Sequence, residues 1–403
     1  MINIQIPQPA QYILNKLNAA GYEAFVVGGC VRDAILSREA NDWDITTSAL
    51  PEEVKQVFKR TIDTGIKHGT VTVLLHEGTF EVTTYRIDGI YEDARHPKEV
   101  TFTSDLTEDL RRRDFTINAM AYHPEIGLVD PYHGLDDLNA GIIRAVGNPS
   151  ERFDEDALRI MRAVRFAAQL GFEIEPATRE AISDFAERLT LVSHERIRVE
   201  LLKLLISAHP DTFKLLYDTG ITKVILPEFD ELAASGQSEH TLNVIQNIEG
   251  TEVLRLTALL HDLGDKKGAF AMDWLRDYKW DNATIDRVGT LVKYQDFPFD
   301  VNETGVRTAI SIIGEEAFCE LAEFLRADGK DQADISELKD IFKTVTERGD
   351  CTSLKQLAIT GGDLIAAGIK PGKEMGCILQ EMLTAVLAEP DLNTKEKLFE
   401  KFI

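Results

Sequence analysis

The hydrophobic periodicity of this chain changes once, near residue 150, and that change restricts the fold to two successive architectures. Before it, apolar residues fall in short β-branched runs (AFVVGG, WDITTS, GTVTVLL, TFEVTTYR) divided by turn residues, which predicts a mixed sheet. Between them PEEVKQVFKR has helical spacing behind a proline at its first position. Beyond Ser150, ERFDEDALRIMRAVRFAAQLGF, TREAISDFAERLTLV and HERIRVELLKLLISA repeat apolar residues every three or four positions, as amphipathic helices do. Helical patterning continues to the end, with breaks expected at HPD (209–211), LPEFDELAASGQSEH, FPFDVNETG and KPGKE. The expected class is α+β: a small mixed-sheet head, then an elongated all-helical region. The expected divisions are a head at 1–148, a helical neck at 149–206, a helical body at 207–330 and a helical tail at 331–403.

Charge limits the partners. The first 200 residues hold 22 Lys+Arg against 33 Asp+Glu, and the whole chain carries a net −24. Neither half is basic, so a polyanion would have to be held by local patches rather than bulk attraction. No apolar run reaches the length of a bilayer span, and MINIQIPQPAQYIL has neither the basic end nor the apolar core of a signal peptide. A cytoplasmic protein is expected. Cys30, Cys319, Cys351 and Cys377 lack paired spacing, which predicts reduced thiols.

One stretch, VVGGCVRDAILSREANDWDITTS (26–48), concentrates chemistry. Gly28 and Gly29 lack Cβ atoms, so backbone N–H groups at this turn can approach a phosphate closely. Arg32, at the start of the following helix, would favour the same anion. A tight strand-to-helix turn with a surface arginine fits these residues too. Asp42 and Asp44 would share one face of a strand, where like charges repel unless a cation lies between them. Hard oxygen ligands suit Mg²⁺, and Glu81 on the next strand-like segment offers a third carboxylate. Solvated acids, in a turn for the pair and on a strand face for Glu81, are the alternative. As a set these parts suit metal-assisted nucleotidyl transfer.

Further segments follow in order: LTEDLRRRDFTINAMAY (106–122), DPYHGLDDL (130–138), RFDEDALRIMRAVRF (152–166) and HERIRVELLKLL (194–205). With GGCVRD and DWDIT they resemble the motifs of class II tRNA nucleotidyltransferases, the CCA-adding enzymes, and of the closely similar bacterial poly(A) polymerases. The match is dense over about the first 205 residues and general beyond them. The resemblance implies a nucleotidyltransferase head that adds C, C and A to the tRNA 3′ end from CTP and ATP without a nucleic acid template. It implies Mg²⁺ on Asp42 and Asp44, and nucleotide binding at the turn of Gly29 and Arg32. It assigns Arg113 to the nucleotide and Asp114 to the ribose 2′-hydroxyl.

Glu155, Asp156, Arg159, Arg162 and Arg165 are spaced to lie along one stripe of a single helix. A salt-bridged surface helix has the same pattern. The resemblance implies instead that Asp156 and Arg159 select the base. Cytosine and adenine both place an exocyclic amine beside a ring-nitrogen acceptor, and an Asp–Arg pair complements that order. Uracil and guanine present the reverse and leave like groups facing each other. Arg162 and Arg165 would contact the bound nucleotide from the same helix. Between sheet and RRRDF lies an expected loop, RIDGIYEDARHPKEV (86–100), where family members that add the terminal A carry an acid and an arginine similar to Asp93 and Arg95. A poly(A) polymerase or A-only enzyme on the same fold is the nearest rival.

A different signal comes from ALLHDLGDKKG (258–268), which resembles an HD-type metal phosphohydrolase motif. His240 would join His261 and Asp262, with a distant aspartate among Asp273, Asp277 and Asp281. A helix end near Gly264 explains the same residues without a metal. A phosphohydrolase with an inactive head is the rival from another class. The remaining helices are expected to bind tRNA through its backbone and shape.

Overall fold

The computed structural model describes residues 2–40, 42–89, 100–264 and 267–403. The chain forms two compact units, Met1–Asp230 and Glu231–Ile403. In the first, helix α1 (Gln8–Ala19) buries Ala10, Ile13, Leu14 and Leu17 on one face. Besides a short parallel pair, Ile142–Ile143 with Glu173–Ile174, the strands are β1 (Ala24–Val27), β2 (Ile45–Thr47), β3 (Thr61–Gly65), β4 (Thr70–Leu75), β5 (Gly78–Thr84), β6 (Arg86–Asp88), β7 (Val100–Phe102), β8 (Ala121–His123) and β9 (Gly127–Val129). Among the described residues seven of them make one sheet in the order β3-β4-β5-β2-β1-β8-β9. It is mixed: β2 runs parallel to β5, and the other neighbours pair antiparallel. All four residues of β1 are buried, which is why AFVV is a continuous apolar run and not an alternating one.

Helix α2 (Gly29–Ile35) follows β1 directly, and α3 (Pro51–Val57) starts at the expected proline. The Leu50 N–H donates to Glu53 at 2.7 Å, closing that first turn. RIDGIYEDARHPKEV differs from the expected loop: its ends pair antiparallel as β6 and β7, Arg86 opposite Phe102. Asp93 and Arg95 lie outside the described residues. Helices α4 (Leu106–Arg111) and α5 (Gly134–Ala140) complete the head. Phe25, Val27, Tyr85, Leu106, Leu110, Ala119, Ala121 and Val146 form a core beneath the ends of β1 and β8.

RFDEDALRIMRAVRF, expected as one helix, is two. Helix α6 (Pro149–Glu155) stops at Asp156, whose backbone is extended at φ −139°, ψ 102°. Helix α7 (Leu158–Leu170) then begins, and Asp156 Oδ1 accepts from the Leu158 N–H at 3.1 Å. An aspartate that caps a new helix competes with continuing the old one. Helices α8 (Pro176–Phe185) and α9 (His194–Leu205) follow, and α9 packs along α7.

LPEFDELAASGQSEH contains a helix, Pro227–Ala234, where a break was expected; its proline and acidic first turn are start signals. The second unit is helical among its described residues, with breaks at FPFDVNETG and KPGKE. Its C-terminal core gathers Leu357, Ile359, Leu364, Met382, Leu383, Val386 and Leu398. All four cysteines are free thiols. No described helix is long and apolar enough to cross a membrane.

Candidate active site

The turn between β1 and α2 is built around Gly28, at φ 82° and ψ −131°. That region is closed to L side chains, and a Cβ there would sit 2.9 Å from Arg113 Nη1. A Cβ on Gly29 would meet only Arg32, at an ordinary 3.7 Å. Gly28 is therefore the position that backbone and site both require, and the first N–H groups of α2 beyond it have no intrahelical acceptor. The neighbouring Cys30 thiol is pushed up to about 12 by burial and by Asp44. It stays a thiol at neutral pH.

Asp42 and Asp44 precede the strand they were expected to occupy. Strand β2 starts at Ile45, although Asp44 O still accepts from Val27 N at 3.0 Å. Ile45 lies opposite Val82 in the parallel pairing, which places Asp44 beside Glu81 of β5. All three side chains reach solvent. Desolvation by the surrounding cleft raises the Asp44 carboxyl, with Asp42 adding to it and Arg113 opposing it. The Glu81 carboxyl is raised by the same desolvation and then by Asp44 and Asp42. Asp44 and Glu81, each raised first by desolvation, stand with Asp42 as oxygen donors of the kind a hard divalent cation takes.

Arg113 connects this cleft to the next. Its Nη2 lies 3.6 Å from Asp109 of α4, which is fully buried. Asp109 also accepts from Arg112 Nη2 at 2.8 Å and from the Thr46 hydroxyl at 3.0 Å. Burial alone would raise the Asp109 carboxyl, but Arg112 and Arg113 outweigh it and hold it low. Arg113 lines a cavity of about 270 Å³ together with Arg112, Asp114, Asp156, Leu158, Arg159, Arg162 and Arg196. Five guanidinium groups face two carboxylates there, a local reversal of the chain's net −24.

Two of the sequence-chosen arginines do not line that cavity. Arg32 donates to both Asp33 oxygens at 2.9 Å and to Asn118 Oδ1 at 2.7 Å. Arg165 donates to Glu200 Oε2 at 2.8 Å, with its guanidinium 3.6 Å from the centre of the Phe166 ring. Arg32 and Arg162 lie 4.8 and 5.3 Å from the same ring. Three cations surround one aromatic ring, each with its own acid: Asp33, Asp114 and Glu200. Asn118 continues the network by donating to Asp114 Oδ1 at 3.0 Å. Arg162 donates twice to Asp114 Oδ2, at 2.8 and 2.6 Å. Burial would raise the Asp114 carboxyl, but Arg162 and Asn118 hold it far below the usual range.

Asp156 and Arg159 both line the cavity, and although the Arg159 N–H donates to the Asp156 carbonyl at 3.0 Å, each side chain is held by a different partner. Asp156 Oδ2 accepts from Arg196 at 3.0 Å, and Arg159 Nη1 donates to Glu155 Oε2 at 2.6 Å. Arg159 Nη2 also donates to the Arg112 carbonyl at 2.9 Å. Asp109, Asn118, Phe166, Arg196 and Glu200 were not identified from the sequence. Glu200 had a signal: it falls between Ile197 and Leu204 on the buried face of α9, where an acid needs a partner.

In the second unit, Asp273 pairs with Arg276 and Asp281 caps the helix starting at Asn282. The carboxylate that meets His240 and His261 is Asp328 instead.

Comparison with known proteins covers nearly all of the chain. The family model of a poly A polymerase head domain matches residues 24–144. That of a probable RNA and SrmB-binding site of polymerase A matches 171–232, and that of a putative tRNA nucleotidyltransferase domain 2 matches 250–402. A CCA-adding enzyme of Lactobacillus johnsonii is 40% identical over 400 residues, covering 97% of this chain and 95% of its own. Another from Lactiplantibacillus plantarum is 39% identical over 411 residues, covering 99% and 97%. The crystal structure of the Bacillus stearothermophilus CCA-adding enzyme in complex with CTP covers 98% of each chain, with a TM-score of 0.81 at 32% identity.

Proposed function

The chain belongs to the family of class II CCA-adding enzymes, and on that premise we propose how its own residues add C, C and A to a tRNA 3′ end from CTP and ATP. Nucleotidyltransferases use divalent metal ions, and we assign Mg²⁺ to Asp42 and Asp44, with Glu81 beside them. When bound, the ion neutralises the triphosphate and lowers the pKa of the attacking 3′-hydroxyl. Base and ribose enter the 270 Å³ cavity, which is at the small end for ligand sites and leaves the phosphates outside. Arg113, between that cavity and the Gly28–Gly29 turn, neutralises the phosphates as they pass toward the acids.

The observation that carries this reading is Asp156 and Arg159 on the wall of one arginine-lined cavity reached by Arg113. Each is satisfied by a neighbour, Arg196 or Glu155, until a base with the right edge replaces that partner. A cytosine or adenine offers an amine to Asp156 and a ring nitrogen to Arg159. A uracil or guanine strands both groups at a cost of about 1–3 kcal/mol each. Asp114 already accepts from the Phe115 N–H, Asn118 and Arg162. It reaches a ribose hydroxyl when Arg162 turns toward the nucleotide. Arg32 and Arg165 are positioning residues in this scheme, fixing Asn118 and α7 from behind. The helical body at 207–330 and tail at 331–403 hold the tRNA, and the enzyme works in the cytoplasm.

The test uses tRNA lacking its terminal CCA, incubated with Mg²⁺ and one labelled nucleotide at a time. CTP alone should extend the RNA, with ATP incorporated efficiently only after the cytidines. Incorporation from ATP with none from CTP would establish the A-only rival. Arg159→Ala should narrow the preference for CTP over UTP by tenfold or more without abolishing incorporation. Unchanged selectivity removes Arg159 from base choice.

A further inference from the structure

We propose that Glu200 is a positioning residue for ribose selection: it receives the Arg162 guanidinium when the 2′-hydroxyl of an incoming ribonucleotide displaces Arg162 from Asp114. The inference rests on the assignment of Asp114 to that hydroxyl. Asp114 has no acceptor site to spare. Its Oδ1 accepts from the Phe115 N–H at 2.8 Å and from Asn118 at 3.0 Å. Its Oδ2 accepts from Arg162 Nε at 2.8 Å and Nη2 at 2.6 Å. A carboxylate offers roughly four lone-pair sites, about two on each oxygen, and these donors fill them. A ribose hydroxyl therefore enters by displacing one of them. The Phe115 N–H is fixed by the backbone, and Asn118 is held by Arg32, which donates to its Oδ1 at 2.7 Å. Arg162 is the donor that can leave. Both its N–H groups converge on one oxygen, which is not the two-oxygen fork that makes Arg–carboxylate pairs strongest.

A guanidinium that leaves one buried acid needs another within reach, and Glu200 meets that need. It is buried on α9, facing α7. Arg165 Nε donates to Glu200 Oε2 at 2.8 Å, while Arg165 Nη1 goes to Gln169 at 2.9 Å. Arg165 thus takes one oxygen of Glu200 and leaves the other toward Arg162. That oxygen, Oε1, lies 3.9 Å from Arg162 Nη1, the nitrogen that makes no bond to Asp114. The gap is too long for a hydrogen bond, and a small rotation of the Arg162 side chain closes it. Phe166 lies 5.3 Å from the Arg162 guanidinium and 3.6 Å from that of Arg165, so an aromatic surface lies beside the moving cation. Burial would lower the Arg162 pKa, but Asp114 and then Glu200 raise it. Arg162 stays charged and is drawn by both acids. A deoxyribonucleotide brings no hydroxyl to start the exchange, leaves Arg162 on Asp114, and enters without that charged hydrogen bond.

The experiment uses the full chain and tRNA lacking its terminal CCA, and compares kcat/KM for CTP and dCTP. Glu200→Gln should cut the preference for CTP over dCTP by about tenfold or more, the size of a hydrogen bond to a charged group. The loss should fall on CTP, with dCTP staying within about threefold of wild type and the preference for CTP over UTP unchanged. An unchanged ratio, or a parallel loss with both nucleotides, overturns the proposal. Glu200→Asp guards against an amide variant that fails to fold, checked by circular dichroism. It keeps a charge beside Arg165 and withdraws the carboxylate from Arg162, so the ratio should still fall, by about threefold or more. In an Arg162→Met background the exchanged cation is gone, and Glu200→Gln should change the ratio no further; a further change overturns the exchange. Asp114→Asn separates the two levels of the argument. If it lowers the ratio and neither Glu200 variant does, the ribose assignment stands and the role of Glu200 falls. If it leaves the ratio unchanged, the ribose assignment falls and the role of Glu200 with it.

Discussion

Asp114 shows how a single side chain couples stability to the site. It is buried, it is held ionised by Arg162 and Asn118, and Arg162 is itself 33% exposed at the cavity. Removing one partner of a fully buried ion pair costs ~3–5 kcal/mol, and the exposure of Arg162 reduces this to about 2 kcal/mol. Asp114→Asn should therefore lower stability by about 2 kcal/mol at neutral pH, measured by denaturant unfolding. The pH dependence has a definite sign. A carboxyl whose folded pKa is depressed contributes stability above its unfolded value, near 4. That contribution falls away only as pH drops through the lower folded value. The difference between wild type and Asp114→Asn should be constant from pH 7 down to about 4, and should shrink in more acidic solution. A difference that vanished between pH 7 and 5 would mean another group carries it. Asp44 and Glu81 have raised pKa values and behave oppositely. Their repulsion is absent in acid and present at neutral pH, which is where a cation is useful.

The elements that hold the site were legible where one periodicity decided them and illegible where two signals overlapped. Strands β1, β4 and β5, and helices α3 and α9, lie where their apolar patterns placed them. The α6–α7 break escaped because apolar residues keep near-helical spacing through it, with Phe153, Ala157, Leu158 and Met161 all buried. The cap at Asp156 was visible in principle, since an acid before an apolar run is a start signal. Arg165 departs from the cavity for a geometric reason. Each step of three residues turns about 300°, so Arg165 sits roughly 120° around α7 from Arg159, facing Glu200 of α9. A stripe at i, i+3, i+6 drifts off any one face. The strand–turn–helix of β1 and α2 makes a sharper prediction. Gly28→Ala forces a φ near 82° on an L residue and drives a methyl to 2.9 Å from Arg113 Nη1. It should cost about 1–3 kcal/mol and reduce nucleotide incorporation by at least tenfold. Gly29→Ala, whose Cβ would make only an ordinary 3.7 Å contact with Arg32, should stay within about threefold of wild type on both counts. Equal effects at the two positions would mean the turn is needed for its mobility and not for its shape.

For the whole molecule, the question is how a chain of net charge −24 handles a polyanion. The cavity answers for the nucleotide by gathering five arginines around two acids. Their charge is not free, because Asp109, Asp114, Glu155 and Asp156 accept from four of them and lie among them. Such pairing keeps the arginines from repelling one another and keeps the pocket from holding RNA nonspecifically. Binding of tRNA must then rest on a few phosphate contacts opposed by the long-range repulsion of everything else. Each phosphate neutralised by Lys or Arg adds about −0.7 to −0.9 to the slope of log affinity against log salt. Salt also screens the repulsion, with a Debye length of ~10 Å at 0.1 M, and this acts in the opposite direction. The short-range contacts dominate once the RNA is docked, while the repulsion governs its approach. The expected outcome for tRNA is an equilibrium affinity that falls at least tenfold between 50 and 200 mM KCl at fixed Mg²⁺, measured by filter binding. The association rate should change far less than it does for a basic RNA-binding protein, because acidic repulsion and basic attraction are screened together. A flat equilibrium profile would mean that shape and base contacts hold the tRNA, with the phosphates contributing little.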